Sequence, residues 1–162
     1  MPRSGRTFVI VVIVLMAAYM IHVKGVGKPA PTFSLRTTTG GTVDLESYRG
    51  RPVLLVFWTT SCGICQHEMP LLNQLQGEFR DKGVSVLAIH LGSQEEADSY
   101  MAENRLNLTS VADASGEVGH KYRISGVPGL VLIDKDGNIK RQSAGWAGEA
   151  ELRDWVDSVS GS

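Results

Sequence analysis

The chain has very little cysteine: Cys62 and Cys65 are the only two in 162 residues. A scaffold built on several disulfides is therefore excluded, and a tetrahedral zinc site would lack its second pair of thiolates. Haem attachment is excluded too, because Gln66 rather than histidine follows the second cysteine. The four histidines are His22, His67, His90 and His120. No two of them have the H-x3-5-H spacing that would complete a zinc site. Metal binding is left as a minor alternative for the cysteine pair.

The sequence also lacks a strong charge of either sign. Its 17 acidic and 16 basic residues give a net charge of -1, and aromatic residues make up only 7%. All the acidic residues but only 13 of the basic ones follow Gly27, so that part of the chain carries a net charge of -4. Basic stripes interleaved with aromatic residues are typical of nucleic-acid interfaces, and none occurs here. We therefore expect no nucleic-acid partner.

One long apolar run is present, from Phe8 to Ile21, with Arg3 and Arg6 before it. With its flanking residues the run covers about 25 Å as a helix, near the lower limit for spanning a bilayer. Small residues that would allow signal cleavage are poorly placed after it, so residues 1–24 are predicted to be a membrane anchor or an uncleaved signal. The two arginines predict a single-pass inner-membrane protein with a cytoplasmic N-terminus and a periplasmic or extracytoplasmic domain.

The remaining chain is predicted to form one domain. Residues 25–31 are expected to be a tether, because glycine and proline are frequent there, and residues 32–162 have the length of a single core. Strands alternating with helices predict a mixed α/β sheet with helices on both sides. The predicted strands are 33–35, 42–45, 53–58, 84–91, 109–112, 129–133 and 138–142, and the predicted helices are 63–80, 95–104, 115–122 and 149–159.

The two cysteines lie where a buried strand ends and a helix begins, which suits thiol–disulfide exchange. Two intervening residues let the sulfurs close a small ring, and the helix N-terminus favours thiolate over thiol. Cys62 is therefore predicted to attack a substrate disulfide, and Cys65 to resolve the mixed disulfide. An inert structural pair is a weaker alternative, since so short a loop constrains the unfolded chain little.

Glu68 is a candidate proton acceptor for Cys65. Three residues further along a helix, it lies about 60° round the axis and about 4.5 Å along it. The spacing alone is equally compatible with an exposed helical glutamate, so both interpretations stay open.

Several motifs in this domain occur together in one known family. They are the entry segment Gly27 to Leu35, Gly50, Phe57-Trp58 before the cysteines, Pro70 after them, Gly126-Val127-Pro128, and Asp134 to Gly137. On these residues the chain resembles thioredoxin-fold proteins, and more narrowly the membrane-tethered extracytoplasmic reductases of the TlpA/ResA/DsbE type. Residues 92–113 match the helix and strand that this family inserts into the basic fold. Independently of the resemblance, residues 33–35 and 42–45 alternate around Gly40-Gly41, which predicts an N-terminal hairpin.

The resemblance implies further site residues. Pro128 would be the cis proline that packs opposite the sulfurs, and Val127 would offer its backbone as an edge for an extended substrate. Trp58 is placed with the substrate-binding residues, as a packing floor under the active-site loop rather than a reactant. Glu68 would be the family's acid in the active-site helix. The only redox group implied is the Cys62–Cys65 disulfide itself, with no other cofactor and no metal.

Several positions depart from the family pattern. Val56 replaces the buried acid of thioredoxin, Ser61 replaces the usual tryptophan before the first cysteine, and Gly129 follows the proline where threonine is usual. Between the cysteines, Gly63-Ile64 lacks both the histidine of strong oxidants and the proline of thioredoxin, so the redox poise is open.

The resemblance implies an enzyme that reduces disulfides of exported proteins, for example apocytochrome c, and is recharged by a transmembrane thiol reductase. A protein-disulfide oxidant and a thioredoxin-fold copper-binding chaperone are the alternatives. A peroxidase is weaker still, because Leu55 stands where a proline is expected, although Thr59 fits.

Overall fold

The structure, a computed structural model, describes residues 27–37 and 40–161. Six strands form a mixed sheet in the order β1-β8-β7-β4-β5-β6, and β2 pairs with β3 in a separate hairpin. The strands are β1 Lys28–Pro29, β2 Ser34–Arg36, β3 Thr42–Asp44, β4 Val53–Trp58, β5 Ser85–His90, β6 Thr109–Ala112, β7 Gly129–Ile133 and β8 Asn138–Ala144. The helices are α1 Gly63–Asp81, α2 Gln94–Glu103, α3 Glu117–Lys121 and α4 Glu149–Asp157, with a 3-10 turn at Leu45–Tyr48.

The predicted thioredoxin-like architecture is confirmed. Strands β4, β5 and β6 run parallel, whereas β7 is antiparallel to both β4 and β8. The helix and strand expected as an insertion are α2 and β6, and β2 and β3 form the expected N-terminal hairpin. The predicted anchor at residues 1–24 lies outside the described residues. Within those residues, no helix combines the length and the apolar composition needed to cross a bilayer.

Strand β4 separates two apolar layers. Every residue of Val53–Trp58 is buried, and alternate side chains point to opposite faces of the sheet. Leu54, Val56 and Trp58 pack with α1 and α4, while Val53, Leu55 and Phe57 pack with β5 and the N-terminal hairpin. Because both faces are covered, the end of β4 is a rigid base for the residues that follow it.

The expected tether needs correction, because the sheet begins at Lys28 rather than after residue 31. Lys28 and Pro29 form β1, which pairs with Ile139 and Asn138 of β8. Proline is tolerated there because β1 is an edge strand. A side chain at Gly27 would meet the carbonyl oxygen of Ile139 at 2.9 Å, so glycine permits this close approach.

Candidate active site

Cys62 is the N-cap of α1, directly after the loop that leaves β4. Its backbone is extended, with φ -84° and ψ 107°, and its Sγ accepts a hydrogen bond from the Cys65 N–H at 3.1 Å. The loop is held on both sides, since the Cys62 N–H donates to the Thr59 carbonyl at 3.3 Å and the Gln66 side chain donates to the Thr60 carbonyl at 2.6 Å. The first cysteine thus lies where unpaired helix N–H groups favour negative charge.

The two cysteines form a disulfide, with their Cα atoms 5.2 Å apart. Cys65 is 1% exposed, whereas Cys62 is only partly buried. An attacking molecule therefore reaches Cys62 first. Beside it, Ile64 is 57% exposed and is the only large apolar side chain that is exposed in residues 27–37 and 40–161.

The segment before β7 lies opposite the sulfurs. Because β7 is antiparallel to β4, with Gly129 paired to Phe57, the residues that precede β7 share an edge with those that follow β4. The Val127–Pro128 peptide bond is cis, and the Val127 carbonyl oxygen lies 3.7 Å from the Cys62 Sγ. Pro128 is buried, and its carbonyl accepts a hydrogen bond from the Gly145 N–H at 2.8 Å.

Packing explains why glycine rather than threonine follows Pro128 in this chain. A Cβ atom at this position would lie 3.0 Å from Cγ2 of Ile124 and 3.2 Å from the carbonyl oxygen of Gly126. Both separations are shorter than ordinary van der Waals contact, so Ile124 occupies the space that a threonine side chain would need.

Trp58 forms the floor of the site but does not reach its surface. Its side chain is fully buried, which corrects the expectation that it contacts substrate. Its ring packs against the rings of His90 and Tyr100, with centroid separations of 4.8 and 5.0 Å. The indole Nε1 has no hydrogen-bond partner in the described part of the chain.

Glu68 is largely shielded from solvent, with 13% of its side chain exposed. The alternative of a fully solvated helical glutamate is therefore wrong. Its carboxylate lies 3.0 Å from Nδ1 of His67, whose own side chain is 83% exposed.

His90 is buried at the end of β5, with 1% of the residue exposed. Its Nδ1 lies 3.1 Å from the Ser93 carbonyl oxygen, whereas Nε2 has no partner among the described residues. Since His90 ends a predicted strand, the sequence favours a histidine with both ring nitrogens hydrogen-bonded, and only one of them has a partner among the described residues. Burial lowers the pKa of His90, and the hydrogen bond to Ser93 and the nearby carboxylate of Glu96 oppose that effect.

This lowered pKa predicts a pH-dependent stability. Well above about pH 6.5 the His90 ring is neutral in both the folded and the unfolded protein. As pH falls through about 6.5, the unfolded chain binds a proton at this ring, whereas the folded chain, with its lower pKa, does not yet do so. The unfolding free energy should therefore decrease between pH 7.5 and 5.5. Urea unfolding at these pH values should show a smaller decrease for His90→Asn. The same change at exposed His120 serves as the control, and an equal pH dependence in both variants would contradict the prediction.

The sequence did not indicate that two residues, Tyr100 and Ile64, lie at the active site. Tyr100 of α2 lies against Trp58 and reaches the backbone of α1, where its hydroxyl is 3.4 Å from the Gln66 carbonyl oxygen. The one feature of the sequence that could have indicated the Tyr100 contact is Pro70, because its missing N–H leaves a carbonyl of α1 without its usual donor.

No group of three or more His, Cys, Asp or Glu side chains is placed to hold a metal ion within the described ranges.

Comparison with known proteins identifies a family and relatives that this chain resembles in sequence. A family model described as the AhpC/TSA family matches residues 26–142. The thiol-disulfide oxidoreductase ResA of Geobacillus kaustophilus is 31% identical over 164 residues, covering 95% of this chain and 94% of the relative. ResA of Bacillus thuringiensis is 29% identical over 136 residues, covering 83% of this chain and 79% of the relative.

Solved structures agree with the sequence relatives. The crystal structure of a putative thiol:disulfide interchange protein DsbE from Chlorobium tepidum superposes with a TM-score of 0.77 and 31% identity. The match covers 84% of this chain and 98% of that protein.

Proposed function

The chain belongs to the AhpC/TSA family as a thiol–disulfide oxidoreductase of the ResA and DsbE type, and we propose that it reduces disulfides of exported proteins. The observation that carries this proposal is the unequal exposure of the two sulfurs beside the Val127 carbonyl. An accessible Cys62 suits attack on a protein disulfide, and a buried Cys65 suits resolution within the same molecule.

The proposed reaction transfers two electrons. The Cys62 thiolate attacks one sulfur of the substrate disulfide, and the other substrate sulfur leaves as a thiolate that takes up a proton. Cys65 then loses its proton and attacks the Cys62 sulfur, which releases the second substrate thiol and leaves the Cys62–Cys65 disulfide. The substrate disulfide is reduced to a dithiol while the enzyme dithiol is oxidised.

Extended substrates are proposed to lie along the segment that precedes β7. The Val127 carbonyl lies close enough to Cys62 for a substrate backbone to pair with it while its sulfur is attacked. Pro128 is proposed to hold this edge, since it is buried and linked to Gly145. Backbone pairing of this kind tolerates many substrate sequences.

Glu68 is proposed to accept the Cys65 proton during resolution. Its position three residues along α1 and its shielding from solvent support this role.

Glu68→Gln is therefore expected to slow the resolution step about 10-fold or more near neutral pH, within the range typical of a lost general base. The attack by Cys62 should change little, because it does not use this proton. Stopped-flow kinetics with a peptide disulfide separate the two steps. Glu103→Gln, at an exposed glutamate of α2, is the matched control. Equal resolution rates for Glu68→Gln and wild type from pH 6 to 9 would remove Glu68 from the mechanism.

The setting of the reaction is also a proposal. We place the domain outside the cytoplasmic membrane, held by residues 1–24, with apocytochrome c or another exported protein as substrate and a transmembrane thiol reductase as electron donor. The apolar run at Phe8 to Ile21 and the likeness to ResA and DsbE support this setting.

The reduction potential of the Cys62–Cys65 couple tests the direction of electron flow. Equilibration of the full chain with defined glutathione ratios should give a potential closer to thioredoxin, about -270 mV, than to the oxidant DsbA, about -120 mV. A value near that of DsbA would replace the reductase by the alternative of a protein-disulfide oxidant.

A further inference from the structure

Pro70 leaves one backbone carbonyl of the active-site helix without its usual donor. In an α-helix the carbonyl of residue i accepts the N–H of residue i+4, so the carbonyl of Gln66 would pair with residue 70. Proline has no N–H, and Pro70 lies inside α1. The affected carbonyl belongs to the residue directly after Cys65.

A side chain from the inserted helix reaches this carbonyl. The Tyr100 hydroxyl donates to the Gln66 carbonyl oxygen across 3.4 Å, a long hydrogen bond between residues 34 positions apart. The Tyr100 ring also packs on Trp58, at a centroid separation of 5.0 Å and an interplanar angle of 54°. The Tyr100 ring thus contacts β4, which precedes the cysteines, and its hydroxyl contacts α1, which contains Cys65.

We propose that Tyr100 is a positioning residue for Cys65, because its hydroxyl replaces the helix donor that Pro70 removes. The inference rests on the proposed thiol–disulfide exchange, and it assigns a role to the inserted helix α2. Through Tyr100, α2 holds the first turn of α1 in the geometry from which the Cys65 sulfur attacks the mixed disulfide. The Tyr100 phenol is protonated at neutral pH, as tyrosine ordinarily is, and burial raises its pKa further.

A double-mutant cycle between Tyr100 and Pro70 tests this link. Tyr100→Phe removes the hydroxyl and keeps the ring, whereas Pro70→Ala restores a backbone N–H for the Gln66 carbonyl. The reduced full chain is mixed with dithiobis-nitrobenzoate, which releases one coloured thiolate on attack by Cys62 and a second on resolution by Cys65. The two release phases are timed by stopped-flow absorbance.

Tyr100→Phe is expected to slow the second phase about fivefold, the effect of one lost hydrogen bond, and to leave the first phase within about twofold. In the Pro70→Ala background the same substitution should slow the second phase by less than about twofold, because the carbonyl then has a helix donor. Tyr48→Phe is the matched control, since Tyr48 lies with Val53 at the opposite end of β4.

Two results would overturn the inference. One is an unchanged second phase in Tyr100→Phe, and the other is equal slowing with and without Pro70→Ala, which would indicate a purely structural role. A different result would contradict the proposed function itself. In that case the wild-type protein would show no second release of coloured thiolate that depends on Cys65.

Discussion

Cys65→Ser is expected to yield a protein that accumulates mixed disulfides with its substrate, whereas Cys62→Ser should trap nothing. Cys62 is the accessible sulfur and the N-cap of α1, so it forms the first bond, while buried Cys65 is needed only to break that bond. Turnover should fall by at least about 1,000-fold in both variants, since removal of a covalent nucleophile has effects of this order. Non-reducing electrophoresis with mass spectrometry identifies the trapped species.

Ser61→Ala is the matched control, because Ser61 is exposed and adjacent to Cys62 but carries no sulfur. It should neither trap substrate nor lose activity. The assignment of roles would be reversed if, in the reduced wild type at neutral pH, Cys65 were alkylated faster than Cys62.

The main elements of the fold were predictable because their signals are local. The unbroken apolar run at Val53–Trp58 indicates a strand covered on both faces, and Asp136-Gly137 indicates the turn between β7 and β8. Likewise, the placement of Cys62 at a helix start follows from the end of that run. Each of these features depends on residues within about one element of the chain.

Other features depend on contacts between distant residues, which local patterns do not report. Lys28 and Pro29 have the composition of a tether, yet they pair with β8 because that strand offers an open edge. Trp58 is next to the active-site loop in sequence, but the pleat turns its ring into the layer below α1. Tyr100 meets Gln66 only because the inserted helix folds back over the end of β4.

Trp58→Ala should produce the largest loss of stability among changes near the site. The ring is fully buried against His90 and Tyr100, so truncation removes its contacts with both rings and leaves a cavity. Such truncations typically lower the unfolding free energy by about 3–5 kcal/mol. Urea unfolding of the reduced and oxidised proteins measures the loss.

Trp58→Phe separates packing from hydrogen bonding. Phenylalanine keeps an aromatic ring against His90 and Tyr100, and it removes an indole N–H that is buried without a partner in the described part of the chain. Burying such a donor unpaired costs about 1–3 kcal/mol, which offsets much of the lost ring volume. The variant should therefore unfold within about 1 kcal/mol of wild type, well inside the range typical of point mutants. If Trp58→Phe were as destabilising as Trp58→Ala, the indole N–H would have to be bonded in solution, and Trp58 would be held by a polar contact rather than by packing alone.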